Sequence, residues 1–247
     1  TNLETVALPN TLTEIGPAVF QSCSNLANIT IPESVTTIGE GAFAECTSLT
    51  SINIPAGITR LEKDVLRNTG LVSIEIPASV NYIGTWAFRD CESLTEIKIL
   101  SPEFTIENNS FSNMAAPVPT MTIHVVNNEM KAYLESTLTA YDKTYITVVG
   151  PTSVSNTEGL KAALDADAKI VSVAAGEYTF PATSVDAGQT IICAEGTVFT
   201  GTSSLDIEGA TVIGATFKNE NGTAVSGTVY GEFKNCTFEG SEALRWC

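Results

Sequence analysis

A stretch of 23 residues, ESVTTIGEGAFAECTSLTSINIP at 33–55, is spelled out again and again along the first half of the chain. It recurs upstream as NTLTEIGPAVFQSCSNLANITIP (10–32) and downstream as ASVNYIGTWAFRDCESLTEIKI (78–99), with a shortened copy, AGITRLEKDVLRNTGLVSIEIP, at 56–77. Aligned, the copies give columns of fixed step. Ile15, Ile38, Leu61, Ile83 and Ile106 are 23, 23, 22 and 23 apart, and Phe20, Phe43, Leu66, Phe88 and Phe111 keep the same steps. Leu26, Leu49, Leu71 and Leu94 form a third column, and Ile29/Ile31, Ile52/Ile54, Ile74/Ile76 and Ile97/Ile99 a fourth. A repeat of this length cannot bury its apolar face alone, so the period predicts a solenoid whose core is continuous from unit to unit.

Within a unit, Leu-x-x-Ile-x-Ile alternates with period two and predicts a short strand with its isoleucines inward. The proline after it (Pro9, Pro32, Pro55, Pro77) ends the strand where no ladder donor is needed. A brief extended piece then runs to Ile-Gly, and Ala-Phe with its flanks is expected to form a helical turn, with Pro17 in its first turn in one copy. Stacking at about 4.8 Å would build a parallel sheet along one side.

The pattern Ile-Pro-x-Ser-Val-Thr-x-Ile-Gly-x-x-Ala-Phe-x-x-Cys-x-Ser-Leu-Thr-x-Ile, filled almost completely between Ile31 and Ile54, resembles the BspA-type leucine-rich repeat of bacterial surface proteins. The resemblance covers roughly residues 1–126. Two copies depart from it. In the third, Glu62 replaces the glycine of Gly16, Gly39 and Gly84, Asn68 falls at or next to the cysteine site, and one residue is lost before Leu71; in the fifth, the Cys-x-x-Leu portion is gone. Residues 121–149 read as a cap, with MTIHVV as a last strand, Asn127 as a helix N-cap, Met130, Tyr133, Leu134 and Leu138 at helical spacing, and YITVV closing the unit. The family usually ends this way.

Residues 150–156 read as a linker by composition. Beyond it, Leu160 to Ala168 predicts a short amphipathic helix, KIVSVAAGEYTF a strand and turn, and TIICAEGTVF, LDIEGATVIGATF and GEFKNCTF short strands broken by glycine. Thr216-Phe217 and Thr237-Phe238 are 21 apart. That spacing suggests parallel β-helix rungs, and LKAALDADAKIVSVAAGEYTF resembles the helix-capped start of pectate-lyase-like β-helices. The expected fold is thus mainly a β solenoid with short helical turns: a leucine-rich repeat domain of about five repeats at 1–150, then a right-handed parallel β-helix-like domain at 151–247, incomplete at its end. Thr1-Asn2-Leu3 aligns with Thr47-Ser48-Leu49, so the reading is of a mature or trimmed piece that begins inside a repeat.

Asp and Glu outnumber Lys and Arg 28 to 12, for a formal charge of −16, and neither half is basic. Phosphate contacts need clustered cations, so nucleic acid is set aside as a partner. No apolar run approaches a membrane span, and no basic leader opens the chain. Cys23, Cys46 and Cys91 share one column and read as a buried ladder of small apolar side chains; Cys193 and Cys236 lie on presumed rungs, and Cys247 is terminal, with pairing to Cys236 open. No cysteine or histidine spacing supports a metal site, and no cofactor is expected. His124, the only histidine, alternates out of phase with Ile123 and Val125 and is expected to be solvated. Asp165, Asp167, Asp206, Glu208 and Glu232, with Lys218, Lys234 and Arg245, do not reproduce the calcium-binding carboxylates and basic residue that polysaccharide lyases of this shape need.

No catalytic residue is assigned. The candidate site is a surface. Outward positions of successive strands read Thr5 and Ala7, Asn28 and Thr30, Ser51 and Asn53, Ser73 and Glu75, Glu96 and Lys98, a polar stripe of the kind on which repeat proteins bind partners and which a solvated sheet also needs. Tyr82, Trp86 and Arg89 form a second candidate, as contact residues or as packing between units, with Trp86 and Arg89 three apart on the presumed helical turn. The resemblance implies a non-enzymatic role outside a bacterium in binding host or microbial proteins or glycans. The alternative is a carbohydrate-active β-helix that the repeats target.

Overall fold

The computed structural model describes residues 2–112, 121–139, 146–179, 185–200, 209–226 and 231–245. They belong to two compact units, 1–150 and 151–247.

In the first unit every copy of the repeat makes one coil, and consecutive coils pair in parallel with the register of the sequence repeat. On the Leu-x-x-Ile-x-Ile side, Asn28–Ile29 pairs with Ser51–Ile52. The ladder then lengthens into a parallel sheet in which Ser73–Ile76, Glu96–Ile99, Met121–Val125 and Ile146–Val149 lie side by side in that order. Before each Ile-Gly, a second, two-residue ladder joins Glu14–Ile15 to Thr37–Ile38, and Arg60–Leu61 to Tyr82–Ile83 and Thr105–Ile106. The repeated apolar columns fill the space between. Leu26, Leu49, Leu71 and Leu94 are buried, as are Phe43 and Phe88, and the rings stack as Phe20 on Phe43 at 5.3 Å and Phe88 on Phe111 at 5.5 Å, with Leu66 in the same column.

The Ala-Phe segment is not the helical turn that the sequence suggested. Ala18, Gly41, Asp64, Trp86 and Asn109, one column of the repeat, all have φ between 53° and 62°, and so do Ser22, Glu45, Asn68 and Asp90 four residues on. Left-handed residues at these intervals break a helix into successive β-turns. In the second coil Ala42, Ala44 and Cys46 donate back to Gly39, Gly41 and Phe43 at 3.0–3.3 Å, while the intervening Gly41, Phe43 and Glu45 donate to Lys63, Val65 and Arg67 of the next coil at 2.7–3.0 Å. A helix would have used all of these N–H groups internally; the turns leave alternate ones to bind the neighbour.

The cysteine column is a buried ladder as expected. Cys46 and Cys91 each direct Sγ at a carbonyl of the preceding coil, Phe20 and Leu66, at 3.1 Å. In the third coil the position is filled by Thr69, with Asn68 beside it in the left-handed site. Thr69 Oγ1 bonds Leu66 O at 3.0 Å and lies 3.3 Å from Cys91 Sγ. The missing residue draws Gly70 so close to the coil above that a Cβ would sit 2.4 Å from Thr47 O.

Beyond the last coil a helix lies between two strands of the sheet, Met121–Val125 and Ile146–Val149. The helix Asn128–Thr137 starts at Asn127, whose Oδ1 accepts from Met130 N at 2.7 Å. Leu134 and Leu138 are buried on the core, and Met130 and Tyr133 pack against it. Tyr133 also accepts the Ile106 backbone N–H at 3.1 Å, occupying a donor at the open edge of the solenoid that another coil would otherwise take.

The second unit is a parallel coil of two sheets. One runs Thr152–Val154, Ile170–Val173, Thr190–Cys193, Thr211–Ile213, Glu232–Lys234; the other runs Gly176–Thr179, Thr197–Thr200, Thr216–Ser226, Thr237–Arg245. Thr152–Val154 is therefore the first strand of a rung, where composition had suggested a linker. The helix is Thr157–Asp165, capped by Asn156 Oδ1 on Gly159 N at 2.7 Å, and begins three residues earlier than the apolar spacing implied because the cap, not the first leucine, starts it. KIVSVAAGEYTF gives two strands across the corner at Ala174-Ala175. Rings of successive rungs meet in a column: Phe199, Phe217 and Phe238 stack with centroids 5.3 Å apart, and Tyr178 lies tilted on Phe199 at 5.7 Å. Gln189, fully buried, is satisfied by donating to Leu164 O and Ala168 O and accepting from Asp186 N, which ties the helix to the rungs. Asp206, Glu208 and Cys247 lie outside the described residues.

Two glycines separate strain from sterics. At Gly41, with φ of 61°, a Cβ would meet only the Ala44 methyl at 3.9 Å, so Gly41→Ala should lose only the left-handed backbone preference, about 1 kcal/mol. At Gly39 a Cβ would lie 2.5 Å from Pro17 N, and Gly39→Ala should lose about 3 kcal/mol because the coils themselves must separate. Urea unfolding midpoints of the two variants measure the difference.

Candidate binding surface

The stripe is set by strand alternation. With each isoleucine of the pair turned to the core, its neighbours must face out, and Thr5, Ala7, Asn28, Thr30, Ser51, Asn53, Ser73 and Glu75 are exposed. At the first coils the face carries an open depression of about 470 Å³ lined by Thr5, Ala7, Leu8, Asn28, Thr30 and neighbouring backbone.

The stripe is not uniform in what it offers. The Asn53 amide donates to Ile31 O at 2.7 Å and accepts from Ile31 N at 2.8 Å, standing in for the strand ladder between two coils. Lys98, expected on the open surface, is 8% exposed. In register it lies between Glu75 and His124, and its Nζ is 2.5 Å from Glu75 Oε2. His124 is likewise not solvated: it does face away from the core, but its side chain is only 14% exposed and Nε2 is 3.4 Å from Glu96 Oε1. Cross-strand charge pairing on a four-strand sheet covers the long stem of the central lysine. Thr5, Asn28, Thr30, Ser51 and Ser73 have no side-chain hydrogen bond among the described residues, and these five are the polar positions of the stripe left for a partner.

Tyr82, Trp86 and Arg89 are half-buried. Trp86 occupies the left-handed column with φ of 61°, a conformation that a bulky side chain rarely adopts, so Trp86 and Arg89 meet across a β-turn and not along a helix face. Lys63 of the preceding coil and Arg89 approach its ring at 5.1 and 5.3 Å, and the Arg60 guanidinium covers Tyr82 at 3.7 Å. Nearby, Glu45 accepts from Ser22 Oγ at 2.9 Å and from Arg67 Nη2 at 2.8 Å; these bonds, Ser22 first, hold its carboxyl below the usual carboxylate range. The trio is thus tied between coils as well as half-open to solvent.

No described carboxylate cluster resembles a catalytic centre. Asp165 pairs with Lys161 at 2.5 Å, Asp167 with Lys169 at 2.8 Å and Glu232 with Lys234 at 2.9 Å, each with a lysine close in sequence. Lys218 faces Glu239 in register. Among the described residues no three His, Cys, Asp or Glu side chains are grouped to hold a metal ion, and no helix is long and apolar enough to cross a membrane. Among the described residues the cysteines are thiols, not joined in disulfides. Burial pushes Cys46 up to about 11, raises Cys91 in the same way, and takes Cys193 to about 12.

Residues 1–117 match, in six copies, the family described as the BspA type leucine rich repeat region. Over these residues the chain is similar to that family. A leucine rich cell surface protein of Faecalibacterium prausnitzii A2-165 is 31% identical over 57% of this chain and 34% of its own, with a TM-score of 0.45; the chain thus spans about a third of that protein. A leucine-rich repeat protein of Bacteroides ovatus ATCC 8483 is 18% identical over 96% of this chain and 68% of its own, with a TM-score of 0.29. No curated protein matches.

The stripe's charges can be tested as structure. Glu75→Lys replaces the exposed partner of the covered Lys98 with a like charge and should destabilise the protein by about 2 kcal/mol, less than for a fully buried pair because Glu75 is exposed; Lys98→Met should be near neutral in the same urea titration. For the thiol ladder, alkylation by iodoacetamide at pH 8 should spare Cys46 and Cys91 in the native protein and label both in urea, as read by peptide mass mapping.

Proposed function

We propose that the chain is a non-catalytic binding scaffold displayed outside a bacterial cell, and that the BspA-like half contacts host or microbial proteins or glycans through the outward residues of its strand face. The observation that carries this reading is the set Thr5, Asn28, Thr30, Ser51 and Ser73, exposed along one strand face, with Asn28 opposite Ser51 in register and no side-chain hydrogen bond to any of the five among the described residues. Backbone stacking fixes their spacing, so a partner meets a rigid row at little ordering cost. Val72, 49% exposed beside Ser73, adds an apolar contact to the row. The resemblance to a leucine rich cell surface protein supports the location, and the acidic balance, 28 carboxylates against 12 cations, favours partners other than polyanions. Tyr82, Trp86 and Arg89 extend the contact surface to a second side of the coil.

The expected outcome for Ser51→Arg/Ser73→Arg is loss of at least about tenfold in affinity for whatever the unmodified chain captures on arrays of glycans and host surface proteins, with an unchanged melting curve. Full retention of capture by the folded double variant would place the binding elsewhere. Charge reversal at Glu75 or Glu96 does not serve here, because both are paired to side chains that the sheet covers.

A further inference from the structure

Where the solenoid meets its cap there is an open cleft of about 550 Å³, away from the strand stripe and within the range of small-molecule sites. Its lining comes from three successive places in the fold: Arg60 on one coil, Asn81 and Tyr82 on the next, and Glu103, Phe104 and Thr105 with Met130 and Tyr133 where the last coil runs under the cap helix. All eight belong to the first unit, and none but Tyr82 is singled out by the repeat pattern.

The chemistry of the lining is specific. Tyr82, Phe104 and Tyr133 supply aromatic surface, with Phe104 and Tyr133 held edge to face at 6.2 Å. Polar groups converge on the same space. Asn81 and Glu103 are exposed, so their amide and carboxylate keep free bonding capacity; Thr105 adds a hydroxyl. Tyr133 Oη already accepts the Ile106 N–H, which leaves its own proton to donate. Arg60 is held in place twice, by stacking over Tyr82 at 3.7 Å and by Nε on Glu62 Oε1 at 2.7 Å, so its charge is balanced locally while its outer N–H groups remain donors. Aromatic area beside mixed donors and acceptors suits a ring with apolar C–H faces and hydroxyl edges, groups that both donate and accept. An anion would meet Glu103 and Glu62 in a chain of net charge −16, and a cation would meet Arg60.

We propose that this cleft is a binding site for a neutral carbohydrate of one or two pyranose rings, seated on Tyr82 and Tyr133 and hydrogen-bonded by Asn81, Glu103 and Arg60. It shares Tyr82 with the second side of the proposed contact surface but no residue with the strand-face row, so cleft and row hold independently. The probes are the methyl glycosides of glucose, galactose, mannose, fucose and N-acetylglucosamine, titrated with the full chain by saturation-transfer difference NMR, with glucuronate and inorganic phosphate as charged comparators. At least one neutral glycoside should show ring C–H saturation at about 1–10 mM, and Asn81→Ala, Glu103→Gln and Tyr82→Ala should each weaken it about tenfold with unchanged thermal unfolding. Asn81 and Glu103 are exposed, so their variants keep the test valid should Tyr82→Ala disturb the coil. The Ser51→Arg/Ser73→Arg protein should bind the glycoside as the parent does. No saturation across the panel, equal binding by all three cleft variants, or preference for a charged comparator would overturn the site.

Discussion

The bond on which the repeat half depends is the one from alternate turn N–H groups of one coil to the carbonyls of the next. Gly41, Phe43 and Glu45 reach Lys63, Val65 and Arg67, and the same three positions are used again one coil later by Asp64, Leu66 and Asn68 on Thr85, Ala87 and Arg89. Each coil can spare those donors because its turn contains two left-handed residues, which hold the intervening N–H groups in tight turns and rotate the others outward. Gly39 and Gly84 belong to the same constraint, since a Cβ at either would strike backbone of the coil before it. Side-chain columns then follow without further instruction: once backbones stack in register, Phe lies on Phe, Leu on Leu, and Cys46 and Cys91 against a carbonyl of the preceding coil.

That mode of construction also governs how much of the surface is free to bind. A side chain turned outward is one repeat away from an equivalent position, and several outward residues are spent on those neighbours: Asn53 on the Ile31 backbone, Ser34 and Ser79 on Leu12 and Ile58 carbonyls, Glu45 on Ser22 and Arg67, Lys98 on Glu75. What remains is a short row of small polar groups on the strand face and, at the capped end, a cleft in which the interruption of the repeat itself leaves aromatic and polar groups unmatched by a next coil. The functional readings rest on those leftovers and not on the repeated letters.

Much of the fold could be read from the chain. The columns gave the coils, the strand registers, the cysteine ladder and the rung spacing of 21 that pairs Thr216 with Thr237. Asn127 was legible as a cap because its side chain is the local partner of a helix N-terminus. The turn was not, because Ala-Phe with polar flanks is compatible with a helix, and only the outward pull of the next coil favours left-handed Ala18 or Trp86 over helical backbone. Thr152–Val154 was missed for a similar reason: a strand of three residues with polar neighbours carries no periodicity, and it forms by pairing with Ile170–Val173.

The sequence by itself determined that this chain is a stack, since a fixed period of apolar residues has no other way to bury them, and it determined which residues are core and which face out. Only the tertiary structure decided which outward residues are available. Lys98 and His124 alternate outward like Ser73, yet Glu75 and Glu96 on adjacent strands lie against them, and no one-dimensional pattern records a contact across coils. The cleft beside Tyr82 is likewise a product of assembly, because Arg60, Glu103 and Tyr133 are far apart in sequence and converge only after the coils have stacked and the cap has closed on them.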